Sequence, residues 1–122
     1  MITLKSVKTK YLTKVIILKI CELKNSHWKK GINSQIKFFK KNCKPNDINN
    51  LLYSNKNLIG YTLLRRRKFY ENFKIKNYFH FDTLIINKRF RDLRFSAFLM
   101  NYNNYIIKRN NFNSFLICEK KL

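Results

Sequence analysis

Residues 78–109 constrain the chain most: a strand pattern there runs through a short basic turn straight into a helix pattern. Tyr78 to Ile86 alternates, with Tyr78, His80 and Asp82 on one face and Phe79 and Phe81 on the other, before closing on Leu84-Ile85-Ile86. Phe95, Phe98, Leu99, Tyr102 and Ile106 then recur at helical spacing, which predicts a helix from about Arg94 to Arg109. A strand feeding a helix within a few residues needs a sheet for the strand and a sheet face for the helix. That requirement excludes all-helical bundles and all-β sandwiches.

The rest of the chain supplies the other layers. Ile2 to Val7 mostly alternates and reads as a short strand. Leu12, Val15, Ile16, Ile20 and Leu23 mark an amphipathic helix over Tyr11–Lys24, with Thr9 available to cap it. Trp28 follows as a plug for the core, and Gly31 closes the region. Ser34–Lys41 reads as a second helix, burying Ile36 and Phe39 or Phe38, and it must stop before Pro45. Asp47–Tyr53 and Leu58–Leu64 are strands around the polar tetrad Ser54-Asn55-Lys56-Asn57, a hairpin turn. Arg65 to Asn77 is mixed basic and aromatic and reads as strand extension plus a loop. Ser114–Cys118 is a last strand. The expected class is mixed α/β (α+β), in the order β-α-α-β-β-β-α-β. At 122 residues the chain is long enough for a single domain spanning residues 1–122, with one modest core.

Hydrophobic residues at 45% exclude a disordered composition in spite of the charge. The net charge of +21, from 27 Lys plus Arg against 6 acidic residues, admits two readings. It favours anionic partners such as nucleic acid or a phosphorylated cofactor. It is also spread evenly from Lys5 to Lys121 alongside Asn, Ile, Phe and Tyr, as an AT-rich genome would produce. Arg65-Arg66-Arg67-Lys68 beside Phe69 and Tyr70 can bind RNA by charge and stacking, or can be a solvated strand extension. The solvated extension and compositional drift are the favoured readings.

Cys21, Cys43 and Cys118 form no CxxC pair, and neither His27 nor His80 completes a ligand spacing, so no metal site is expected. Unpaired thiols point to a reducing compartment. The apolar run Val15–Leu18 is broken by Lys19, far short of the roughly 20 residues of a membrane span. Neither a span nor a secretory leader is read, and the expected setting is soluble and cytoplasmic.

The segment from Phe81 through Leu84-Ile85-Ile86, Arg91-Asp92-Leu93-Arg94-Phe95-Ser96-Ala97 and Leu99-Met100 resembles the acetyl-CoA-binding motif of the GNAT superfamily of N-acetyltransferases. In that motif a strand leads to an [RQ]-x-x-G-x-[GA] turn that opens a helix. Arg91 matches the leading residue and Ser96 the small one, while Arg94 stands where the family has its first glycine. Asn57 to Leu64 is similar to the strand that precedes the cofactor strand in many members. The resemblance implies a GNAT-like fold with a central, mostly antiparallel sheet flanked by helices. It implies acetyl transfer from acetyl-CoA to a primary amine. The cofactor would lie along Leu84, Ile85 and Ile86 and across Arg91, Asp92, Leu93, Arg94, Phe95, Ser96 and Ala97. Backbone N–H groups and the positive end of a helix would face its pyrophosphate. Asp82 is the candidate general base, with His80 one step back on the same face as a proton relay. An ion-paired strand carboxylate and a structural histidine are the competing readings. The family's usual general acid is a Tyr on a helix beyond the last strand read here, followed by a closing hairpin. This sequence is expected to lack those C-terminal elements, so an impaired enzyme, an oligomer or a completing partner is part of the expectation. The alternative function is a small basic protein that binds RNA or ribosomes. The acceptor amine cannot be read from the sequence.

Overall fold

The computed structural model describes residues 1–109 and 113–116, with Asp92, Leu93 and the last four of these described by backbone alone. The element order is β1 (Ile2–Lys8), α1 (Lys14–His27), α2 (Ile32–Asn42), β2 (Ile48–Ser54), β3 (Asn57–Glu71), β4 (Lys74–Ile86), α3 (Phe95–Arg109) and β5 (Asn113–Leu116). Short 3-10 turns at Thr9–Tyr11 and Lys88–Leu93 precede α1 and α3. The sheet order is β1-β2-β3-β4-β5, antiparallel through β4, with β5 parallel to β4. This is the order and the mostly antiparallel sheet read from the sequence. The nominated residues Ile117 and Cys118 lie outside the described residues.

Alternation along β3 divides the core between the two faces. Tyr61 and Leu63 point toward α1 and α2, where they pack with Ile20, Cys21, Leu23, Phe39, Leu51 and Ile85. Leu64 joins Phe79, Phe81 and Ile106 on the α3 side. Two register shifts break the alternation. Leu52 faces Gly60 while Tyr53 faces Leu58, so Ile59 is an extra residue and joins Leu52, Ile86 and Leu99 on the α3 side. On β4, Leu63 faces Thr83 while Leu64 faces Phe81, which leaves Asp82 as the extra residue. A bulge re-aims the side chains beside it. Here Asp82 and Thr83 both line a cavity against α1 and α2.

Several local expectations need correction. Thr13, not Thr9, caps α1: its hydroxyl accepts the Ile16 N–H at 3.3 Å. Thr9 instead receives a bond from the Asn49 amide at 3.0 Å. Trp28 does not plug the core. It follows the last residue of α1 in an extended conformation and is 43% exposed. Gly31, at φ 89°, opens α2 rather than closing α1, and its N–H donates to Asn25 Oδ1 at 2.8 Å. Phe39 is the buried phenylalanine of α2, and Phe38 is half exposed. No loop interrupts residues 65–77. β3 and β4 pair all the way to Glu71 and Lys74, and Asn72 and Phe73 turn the chain with φ of 50° and 62°. Two successive positive φ values match the right-handed twist of the flanking strands. On α3 the buried residues are Leu99, Asn103 and Ile106, while Phe98 faces out. Asn103 is buried because it accepts hydrogen bonds from Thr62 Oγ1 at 2.8 Å and from the Asn50 amide. The sheet face under α3 is locally polar.

Candidate active site

β4 is the spine of the site. β5 pairs it only from Tyr78 to Phe81, so from Asp82 to Ile86 the far edge of β4 has no strand partner among the described residues. Asn87 then ends the strand. Its backbone N–H donates to Ile59 O at 2.7 Å, and its side chain accepts the Arg89 N–H at 3.0 Å. The 3-10 turn swings the chain over the strand end and into α3.

A cavity of about 290 Å³ lies at that corner, lined by Leu84, Ile85, Ile86, Arg91, Ser96 and, from the end of α1, His27. Arg91 is built in: its Nε donates to Ile86 O at 3.1 Å, and its Nη2 is 2.9 Å from His27 Nδ1. Five of the nominated cofactor residues therefore converge: Leu84, Ile85, Ile86, Arg91 and Ser96. Phe95 packs on Phe90 in the core, with ring centroids 5.9 Å apart, and Ala97 is exposed on α3. Asp92 and Leu93 belong to the 3-10 turn.

Arg94 adopts the left-handed conformation, φ 60° and ψ 19°, and is exposed. This is the backbone shape for which glycine suits its place in the motif. An L side chain pays about 1–2 kcal/mol for it. Replacing Arg94 by Gly relieves that strain and adds chain entropy to the unfolded state. We expect a net gain of about 0.5–1 kcal/mol in Arg94→Gly, read from chemical denaturation. A loss would show that the arginine side chain contributes more than its strain.

A second cavity, of about 380 Å³, opens where α1 and α2 lean over the bulge. It is lined by Lys24, Trp28, Lys30, Ser34, Gln35, Phe38, Asp82 and Thr83. Asp82 Oδ2 lies 3.2 Å from Arg65 Nε, with the N–H aimed elsewhere, and accepts from Thr83 Oγ1 at 3.1 Å. The carboxylate is thus ion-paired and also open to the cavity. His80 is half-buried, faces Arg65 across the sheet and lines neither cavity.

Sequence reasoning missed Lys24, His27, Trp28, Gln35 and Phe38. One signal was available for Lys24: four residues after Ile20 and next to Leu23, it falls on the apolar stripe of α1. Burial pushes the Cys43 thiol up to about 11 and raises that of Cys21, so both are inert at neutral pH. Cys118 lies outside the described residues. No cluster of metal-ligating side chains occurs among the described residues. Among them, too, no helix is long and apolar enough to cross a membrane. The basic tetrad is divided: Arg65 pairs with Asp82 and Arg67 with Asp47, both toward the α1–α2 side.

No protein-family profile and no curated protein sequence matches the chain. Solved structures do. A GNAT family acetyltransferase of Staphylococcus aureus superposes with a TM-score of 0.74 at 20% identity, over 98% of this chain and 87% of that one. An aminoglycoside 6'-N-acetyltransferase of Acinetobacter haemolyticus gives 0.70 at 13% identity, over 95% and 79%. An acetyltransferase from an uncultured soil metagenomic sample, solved with sisomicin, gives 0.67 at 14%, over 98% and 78%. The fold is that of the GNAT acetyltransferases.

Proposed function

We propose that the chain is an N-acetyltransferase that moves acetyl from acetyl-CoA to a primary amine. One observation carries this reading: the two cavities meet β4 at consecutive residues, Thr83 and Leu84, on a stretch whose far edge has no strand partner among the described residues. A thioester lying along Leu84–Ile86 and an amine entering past Asp82 would meet over that strand. The amine nitrogen attacks the thioester carbonyl carbon, and a backbone N–H of the β4 edge stabilises the oxyanion. The nitrogen gives up its proton to Asp82, and the CoA thiolate departs. Arg91, with the turn into α3, would hold the pyrophosphate. Among the described residues no tyrosine lines either cavity, and in this reading the thiolate takes its proton from solvent. The neighbours named as acetyltransferases support the reading through the fold they share. The reduced thiols of Cys21 and Cys43 fit a cytoplasmic setting.

The test is calorimetric titration of acetyl-CoA into the protein at moderate salt, with Arg91→Ala alongside. A hydrogen bond to a charged group contributes about 1.5–3 kcal/mol, so Kd should rise at least about tenfold in the variant. A folded wild-type protein that binds no acetyl-CoA ends the proposal.

A further inference from the structure

Lys24 is only 5% exposed, yet among the described residues no carboxylate lies within ion-pair distance of its ammonium and the ammonium donates no hydrogen bond. What it has is two aromatic faces, the Phe39 ring at 5.4 Å and the Tyr61 ring at 5.5 Å. A cation over aromatic rings recovers part of its lost hydration. It does not satisfy three N–H donors, and the ammonium, which is open to the cavity rather than sealed, has no counter-ion among the described residues. Burial accordingly pulls the Lys24 pKa below the usual lysine value, with the nearby thiols, Asp82 and Arg65 acting after it. The Asp82 carboxylate lies in the same cavity but is taken by Arg65. Lys24 itself lines the cavity. Trp28 and Phe38, 43% and 52% exposed, line the same cavity, as do Lys30 and Thr83.

We propose that this cavity binds an acceptor carrying a carboxylate. Lys24 is the counter-ion, and the acceptor's apolar body sits against Trp28 and Phe38. Of the two lysines in the wall Lys24 is buried and Lys30 exposed, so the charge held inside is single, which favours a carboxylate over a doubly charged phosphate. A cavity of about 380 Å³ suits an amino-acid-sized molecule better than a polymer. The same charges disfavour a polycationic acceptor. Recognition of several ammonium groups needs several free carboxylates, and here the one cavity carboxylate is engaged while two lysines line the wall. That this carboxylate-bearing ligand is the acceptor amine rests on the acetyltransferase reading; the anion site rests on Lys24 alone.

The probes are 3-phenylpropionate and its neutral amide, titrated calorimetrically into wild type and Lys24→Met, with acetyl-CoA titrated in parallel. Methionine keeps the length and removes the unpaired charge, so the variant should fold at least as stably, checked by thermal melting. A second variant, Lys24→Gln, covers the case in which the first fails to fold. Wild type should bind the acid at least tenfold more tightly than the amide. The variants should lose that preference while acetyl-CoA affinity is unchanged. Equal binding of acid and amide, no binding of the acid, or a preference that survives in the variants overturns the anion site. If acetyl-CoA fails to bind while the preference holds, the acetyltransferase reading falls and the anion site stands.

Discussion

Asp47→Ala should lose on the order of 3–5 kcal/mol of stability. Asp47 is fully buried. Its Oδ1 accepts the Arg66 backbone N–H at 2.9 Å and Arg67 Nη1 at 2.9 Å, and its Oδ2 accepts the Lys44 N–H at 3.0 Å. Those bonds tie the α2–β2 connection to β3 at the point where the long hairpin arm leaves the core. Its backbone carbonyl also accepts the Thr9 N–H at 3.0 Å, which joins the start of the first 3-10 turn to the same knot. Truncation strands two backbone donors and a guanidinium whose side chain is only 20% exposed. Each group left unmatched costs about 1–3 kcal/mol. Asp47→Asn keeps acceptor capacity on one atom and should lose less. Urea denaturation of the three proteins orders them directly. For a chain of this size the alanine variant should melt at least about 10 °C below wild type. A loss under about 1 kcal/mol would mean that water replaces the carboxylate and that the knot contributes little.

The parts of the fold that were legible share a property. β4, the 54–57 turn and α3 declare themselves through periodicity or turn chemistry, and each is set by neighbours close in sequence. The residues that escaped do so because their reason lies elsewhere in the chain. Asn103 looks like a solvent-facing polar residue until Thr62 and Asn50 are seen beneath it. Lys24 interrupts an apolar stripe and reads as a surface charge, but the rings of Phe39 and Tyr61 hold it inside. Phe73 hides the hairpin tip, because an aromatic residue at positive φ carries no turn signature. The half of the candidate site at the end of β4 was legible as a contiguous strand, turn and helix; Leu84–Ile86, Arg91 and Ser96 were named together and line one cavity. The other half is assembled from α1, α2 and the bulge. No local pattern announces a one-residue slip at Asp82.

That slip bears on the second large effect. If Asp82 takes the proton from the attacking amine, Asp82→Asn should lower kcat by about 10²–10⁴. Acetyl-CoA affinity should hold, because Asp82 lies in the cavity on the α1–α2 side and not in the one that Arg91 lines. A structural role predicts a different signature. Asp82 also pairs with Arg65, and the asparagine variant deprives Arg65 of its counter-charge. Were that the main function, Arg65→Met would reproduce the kinetic loss, and both variants would melt lower in step. A base predicts that Arg65→Met retains most of kcat, since the carboxylate stays at the cavity. His80→Gln supplies the internal comparison. His80 shares the face of β4 but lines neither cavity, so kcat should stay within about tenfold of wild type, below the usual worth of a proton-transferring group. A larger loss, with melting unchanged, would return His80 to the proton path. Equal losses in Asp82→Asn and Arg65→Met would assign the pair to structure, and the incoming amine would then have to lose its proton to water.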